Sequence, residues 1–216
     1  MTGDVAVELM GESGSFPGAR GLPEQVEGLE LPLLVVLGEM AALPEVRDDR
    51  VVAIELGLEC LGVHTGEARG QEGSNVVGFA RFRLGTMEPS SLVEVVRQPN
   101  TSSVAIAVVT RYFQAAGLQV AVCADVPGRI VNRLARPYYN AALTSLDEGL
   151  ASAADIDQTV RLGLGYPHGP IELLESSGLT DHHRVSQALY DALGDRDFLP
   201  ARRAQVAHRR EQRRPT

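Results

Sequence analysis

Two residues in this chain combine useful chemistry with a telling setting: Glu94, flanked by valines in LVEVV, and Asn132, in PGRIVNR. From its setting alone Glu94 reads either as a solvated or ion-paired edge carboxylate or as a carboxylate that orients a base, and Asn132 either as a structural amide bonded to backbone or as a neutral donor to a substrate oxygen. A proton-transfer site would add a histidine, whose ordinary pKa lies near working pH. The chain has His64, His168, His182, His183 and His208. His168, between Pro and Gly in GYPHGP, reads as a turn residue exposed to water. His182 and His183 begin a helix on adjacent faces, which does not make a shared metal site. His64 lies in a loop and could act as a base only if that loop folded inward. Cys60 and Cys123 have no metal or redox spacing and read as small core residues in a reducing cytoplasm.

Composition narrows the class. With 28 acidic against 20 basic residues among 216, the net charge is -8, which argues against generic nucleic-acid binding. Every basic residue is arginine, so a side-chain cation meeting a phosphate must be Arg or His. The N-terminal MTGDVAVELMGESG lacks a basic segment followed by a long apolar run, so neither a signal peptide nor a membrane span is expected.

The elements that must position Glu94 are short and β-branched. Strands are expected at Asp4–Met10, Leu33–Leu37, Val51–Leu56, Val76–Phe82, Leu92–Val96 and Leu118–Cys123. Between the last two, Thr101 or Ser102 can cap a helix whose face carries Val104, Ala107, Val108, Tyr112 and Ala115 and which Gly117 ends. Strand, helix, strand at this spacing is a βαβ crossover with a parallel pair. Residues 11–28 and 61–74 read as loops.

From Val126 the pattern turns helical. After the Pro127-Gly128 junction, one side of a helix carries Ile130, Leu134, Tyr138, Ala141, Ala142 and Ser145, and Pro137 should kink it. Ser152 and Asp155 form a capping-box-like start, with Gly163 as the stop. Pro170 opens a short helix ending near Gly178, and Thr180 caps another that ends before Gly194. The Arg-rich tail from Arg202 to Arg214 reads as a solvated helix.

The run 127–178, with LVEVV upstream, resembles the 3-hydroxyacyl-CoA dehydrogenase family. PGRIVNR looks like that family's PGF-[IV]-VNR, LVEVV like the strand with its paired carboxylate, and the interval between Glu94 and Asn132 matches without a gap. The resemblance implies a fold of α/β then all-α: a reduced Rossmann-like parallel sheet domain over 1–125, then a helical domain over 126–216 like the C-terminal domain of 6-phosphogluconate dehydrogenases. It implies NAD as cofactor, acyl-CoA as ligand, a homodimer formed through the helical domain, and catalytic roles for Glu94 and Asn132.

Three expected parts are missing. Ala80 stands at the slot of the family's catalytic histidine, and the family's serine would fall near Glu59 or Cys60. No G-x-G-x-x-G follows the first strand, where Gly11-Glu-Ser-Gly14 is a weak echo and Glu12 would repel a pyrophosphate. The sequence therefore points to a family protein of acyl-CoA metabolism with impaired or lost NAD-dependent oxidation. The alternative is a catalytically inactive acyl-CoA-binding or assembly subunit.

Overall fold

The computed structural model describes residues 2–38 and 43–214. They form two compact units: residues 2–38 with 43–83 and 89–130, and residues 84–88 with 131–214.

The first unit is a Rossmann-like α/β unit built on a seven-stranded sheet: β1 (Thr2–Leu9), β2 (Gln25–Glu27), β3 (Leu33–Leu37), β4 (Val51–Glu55), β5 (Val76–Arg81), β6 (Leu92–Arg97) and β7 (Gln119–Ala124). The spatial order is β2-β1-β3-β4-β5-β6-β7. Strands β1, β3, β4 and β5 run parallel, and β6 pairs with β7 in parallel. All of β3 and β4 is buried, as expected for strands covered on both faces.

The sheet is mostly parallel, as expected, and two of its pairs run the other way. β5 and β6 pair antiparallel, and the unexpected three-residue β2 pairs antiparallel with the start of β1. β2 is too short to carry a period-2 signal and lies in a Gly/Pro-rich stretch, so it reads as loop. The 61–74 stretch likewise contains a helical turn, α1 (Gly62–Thr65).

One face of the sheet packs against α2 (Ser103–Ala115), which joins β6 to β7 as the crossover requires. Its buried residues are Ala105, Val108, Val109, Tyr112 and Phe113, so the buried stripe lies beside the expected face and shares only Val108 and Tyr112 with it. Phe113 stacks on Phe16, with centroids 5.8 Å apart and 7° between planes, and lies 5.0 Å from Phe79. Each such fully buried side chain contributes roughly 1.5–3 kcal/mol of hydrophobic stabilisation. The opposite face gathers Leu34, Val36, Val52, Ile54, Leu61 and Val96, with Cys123 at its margin.

The second unit is helical: α3 (Val131–Asp147), α4 (Ala153–Leu164), α5 (Pro170–Ser177), α6 (Leu179–Leu193) and α7 (Arg202–Gln212). α3 continues through Pro137. Ser152 caps α4 by accepting from Asp155 N–H, but the stop is Gly165 in the left-handed region, not Gly163. α6 begins at Leu179, with Gly178 rather than Thr180 at its cap position. α7 is anchored rather than merely solvated, since Ala204 is fully buried and Arg203 Nε lies 2.7 Å from Asp147. No helix among the described residues is long and apolar enough to cross a membrane.

The buried side of α3 is the reverse of a naive reading of its apolar stripe. Asn132, Arg136, Tyr139, Asn140 and Leu143 face inward, while Leu134 is 72% exposed.

Candidate functional site

Glu94 lies in the middle of β6 and is 1% exposed. The antiparallel register places Ala80 of β5 directly opposite it. Side chains so paired lie on the same face of the sheet, so the position expected for the histidine is the right one to meet this carboxylate. The methyl group there offers nothing to it. Glu94 Oε1 instead accepts from the Ile130 N–H at 2.6 Å, and Oε2 lies 3.8 Å from Arg129 Nε.

Arg129 reaches this place because the chain turns sharply at Pro127-Gly128. Gly128 and Arg129 both take positive φ, 78° and 52°, a region uncommon for a side chain such as arginine. Arg129 also donates from Nη2 to the Gly57 carbonyl at 2.9 Å. Burial lowers its pKa and the Glu94 charge raises it again. The result is a buried ion pair. A guanidinium stays protonated and cannot act as base, so this pair does not perform the proton transfer that a Glu–His pair performs.

The neighbourhood of the expected serine is equally settled. Glu59 Oε1 accepts from the Gly57 N–H at 3.0 Å and sits 3.4 Å from His64 Nε2. Burial would raise the Glu59 pKa, but backbone N–H donors and His64 hold it below its usual value. Asp125 takes the N–H groups of Leu61 and Gly62 at 2.7 and 2.8 Å. Both cysteines are half-buried free thiols rather than core residues. Burial, with Asp125 second, raises the Cys60 pKa, and burial pushes Cys123 up to about 11.

The carboxyl ends of the parallel strands are where a fold of this kind meets a dinucleotide, at a point where strand order reverses. Here β1, β3, β4 and β5 follow chain order without a reversal. The chain leaving β1 enters a three-residue 3-10 turn, Pro17–Ala19, instead of a helix. Two of the backbone donors at these strand ends already have an anion: Glu55, at the end of β4, accepts from Ser15 N–H at 2.7 Å and Gly38 N–H at 2.8 Å. These residues do not fit a pyrophosphate.

In the helical unit Asn132 belongs to a buried polar ladder. Arg136 Nε donates to Asn132 Oδ1 at 3.0 Å, Arg136 Nη1 lies 3.1 Å from His182 Nδ1, and His182 Nε2 lies 2.9 Å from Asn140 Oδ1. Asn140 Nδ2 in turn donates to the Asp197 carbonyl at 3.1 Å. Arginine can only donate, so His182 Nδ1 accepts and Nε2 carries the proton that Asn140 accepts. Burial, then the Arg136 charge, lowers the His182 pKa to about 3, and burial lowers that of Arg136 to about 10. His182 is a neutral structural residue. With Arg136 donating to its oxygen, the Asn132 amide keeps its Nδ2 hydrogens as outward donors.

Sequence reasoning missed Arg136 and Asn140 and saw His182 only as a helix-start residue, yet a signal is present: Asn132, Arg136 and Asn140 recur at helical spacing. The GYPHGP motif also has a structural meaning. Asp157 of α4 accepts from the Ile171 and Glu172 N–H groups at 2.8 and 3.0 Å, capping α5 from outside. Gly169 leaves room for that carboxylate, and a Cβ there would collide with it. His168 is exposed.

The residues of this unit match a known family: 3-hydroxyacyl-CoA dehydrogenase, C-terminal domain, over residues 128–214. The helical unit of this chain thus carries the C-terminal domain of the 3-hydroxyacyl-CoA dehydrogenase family. It is 44% identical over 88 residues to the mitochondrial hydroxyacyl-coenzyme A dehydrogenase of Homo sapiens, covering 41% of this chain and 28% of that one. A probable 3-hydroxybutyryl-CoA dehydrogenase of Deinococcus radiodurans is 34% identical over 110 residues, covering 51% of this chain and 40% of that one. The chain thus spans less than half the length of these relatives. Among solved structures, (S)-3-hydroxybutyryl-CoA dehydrogenase from Ralstonia eutropha superposes with a TM-score of 0.63 at 24% identity, covering 81% of this chain and 64% of that one. FadB2 of M. tuberculosis gives 0.64 at 22%, covering 83% and 66%. At these identities the structures establish the shared fold.

Proposed function

We propose that this protein acts in acyl-CoA metabolism as a 3-hydroxyacyl-CoA dehydrogenase family member that has lost NAD-dependent oxidation and keeps acyl-CoA binding on a homodimeric scaffold. The observation that carries the reading is the pairing of Glu94 with Arg129 opposite Ala80. General acid–base catalysis is worth roughly 10²–10⁴ in rate, and this arrangement supplies no base. Asn132, with its amide oxygen fixed by Arg136, is the substrate-side donor in this reading.

The homodimer is supported by the outward apolar side of α3. Leu134 is 72% exposed, and the Tyr138 ring lies 5.8 Å from that of exposed Tyr166. The two free thiols fit a reducing, cytoplasmic location.

The test combines an NADH-dependent acetoacetyl-CoA reduction assay with calorimetric titration of acetoacetyl-CoA. Binding of the thioester without turnover is the expected result. Reduction at a rate comparable to active dehydrogenases would sink the proposal, and so would absence of acyl-CoA binding.

A further inference from the structure

The carboxyl ends of β1, β3 and β4 lie side by side, since Leu9 pairs with Leu37 and Val36 with Ile54. Two backbone N–H groups converge there, from Ser15 and Gly38, and the Glu55 carboxylate takes one on each oxygen. Glu55 is 9% exposed, so it is a charge brought into the interior and kept there by charge-assisted hydrogen bonds.

The surroundings hold this arrangement shut. Gly38, at φ 83°, lies against the backbone of Gly11, and a Cβ on Gly38 would come within 2.7 Å of the Gly11 carbonyl carbon. The exits of β1 and β3 are therefore in direct backbone contact. The Ser13–Phe16 turn is held by one internal hydrogen bond and by Arg81. Phe16 N–H donates to Ser13 Oγ at 2.8 Å, Arg81 Nη1 donates to the Ser15 carbonyl at 2.8 Å, and the Arg81 guanidinium lies 5.0 Å above the Phe16 ring.

We infer that Glu55 is a built-in anion: its carboxylate fills the strand-end cradle that would otherwise take an external oxyanion, so this unit binds no dinucleotide phosphate, and a small carboxylate or phosphate enters only when the Glu55 side chain is removed. A pyrophosphate entering the native cradle would find its donors taken and a like charge within hydrogen-bond reach. Gln at this position would keep the space filled while presenting an amide N–H to one of the two backbone donors.

The experiment compares wild type, E55A and E55Q by thermal unfolding in acetate or inorganic phosphate against chloride at equal ionic strength, with NADH and ADP-ribose titrated into the wild type. Wild type should show no NADH fluorescence change and only the general effect of each salt on Tm. E55A should unfold at lower temperature and recover about 2–4 °C in acetate, since an anion that binds only the folded state stabilises it by mass action. E55Q should be destabilised without acetate recovery. If E55A does not fold in chloride, refolding in acetate should recover it.

NADH or ADP-ribose binding by wild type overturns the inference. So does an E55A variant whose stability, or whose recovery on refolding, responds to acetate no more than wild type does. Nucleotide binding without acetoacetyl-CoA reduction would remove this inference and leave the proposal of lost oxidation standing.

Discussion

Ala80 and Glu94 face each other across the antiparallel β5/β6 ladder, and the charge of Glu94 is met by Arg129 from the turn that follows β7. The ion pair is buried, with side-chain exposures of 5% for Arg129 and 1% for Glu94. Removing one partner of such a pair strands the other charge in the interior.

The Glu94–Arg129 relationship predicts a strongly non-additive cycle. R129M should destabilise the protein by about 3–5 kcal/mol, and E94Q/R129M should be less destabilised than the two single changes sum to, because no unpaired charge then remains. Urea unfolding of the four proteins checks this. Additive single and double effects would show that the two side chains do not act as a pair.

The buried histidine gives a pH dependence of known sign. His182 in the folded protein stays neutral down to about pH 3, whereas in the unfolded chain it takes up a proton near pH 6.5. Between those values the unfolded state holds the extra proton, so this residue removes about 1.4 kcal/mol of stability for each pH unit lowered. H182Q should be less stable than wild type at pH 7 and lose stability less steeply from pH 6.5 to 4. Comparing slopes of unfolding free energy against pH removes the carboxylate contributions common to both. Equal slopes would contradict the neutral assignment.

The Asp157 cap makes a prediction about the GYPHGP motif. D157A should cost about 0.5–2 kcal/mol, the usual range for a lost cap. G169A should cost more, because its Cβ would displace the Asp157 carboxylate from the α5 N–H groups it serves. In the D157A background the G169A change should be milder, and thermal unfolding of the three variants measures it. A purely functional role for Gly169 would leave stability unchanged.

The outward face of α3 is tested by L134E. Leu134 is 72% exposed, so the substitution should leave the unfolding of an isolated chain within about ±0.5 kcal/mol, as surface changes usually do. If this face joins two copies, sedimentation should shift from dimer to monomer. A wild type already monomeric at high concentration would refute the homodimer.

What was legible in the sequence followed the strength of local signals. Val/Leu-rich runs such as Leu33–Leu37 and Val51–Glu55 marked buried strands to within a residue, and the crossover around α2 implied the parallel β6/β7 pair. The resemblance located Glu94 and identified Ala80 at the slot facing it. What stayed hidden depended on tertiary pairing. Nothing in the sequence marked Arg129, which a positive φ in the turn after β7 brings to Glu94. The inward side of α3 was obscured because its polar residues satisfy one another. Glu55, at the end of an apolar strand, gave no sign of the donors from Ser15 and Gly38 that converge on it.

Glu55 also bears on how much folded protein a cell holds. A domain whose strand ends must be filled by a diffusible nucleotide gains stability in proportion to the logarithm of that nucleotide's concentration. Here the filler is covalently part of the chain, at an effective concentration that never changes. If Glu55 fills the cradle as inferred, the folded population of this unit is uncoupled from the redox state and size of the nucleotide pool, and its proteolytic lifetime should stay constant as that pool rises and falls.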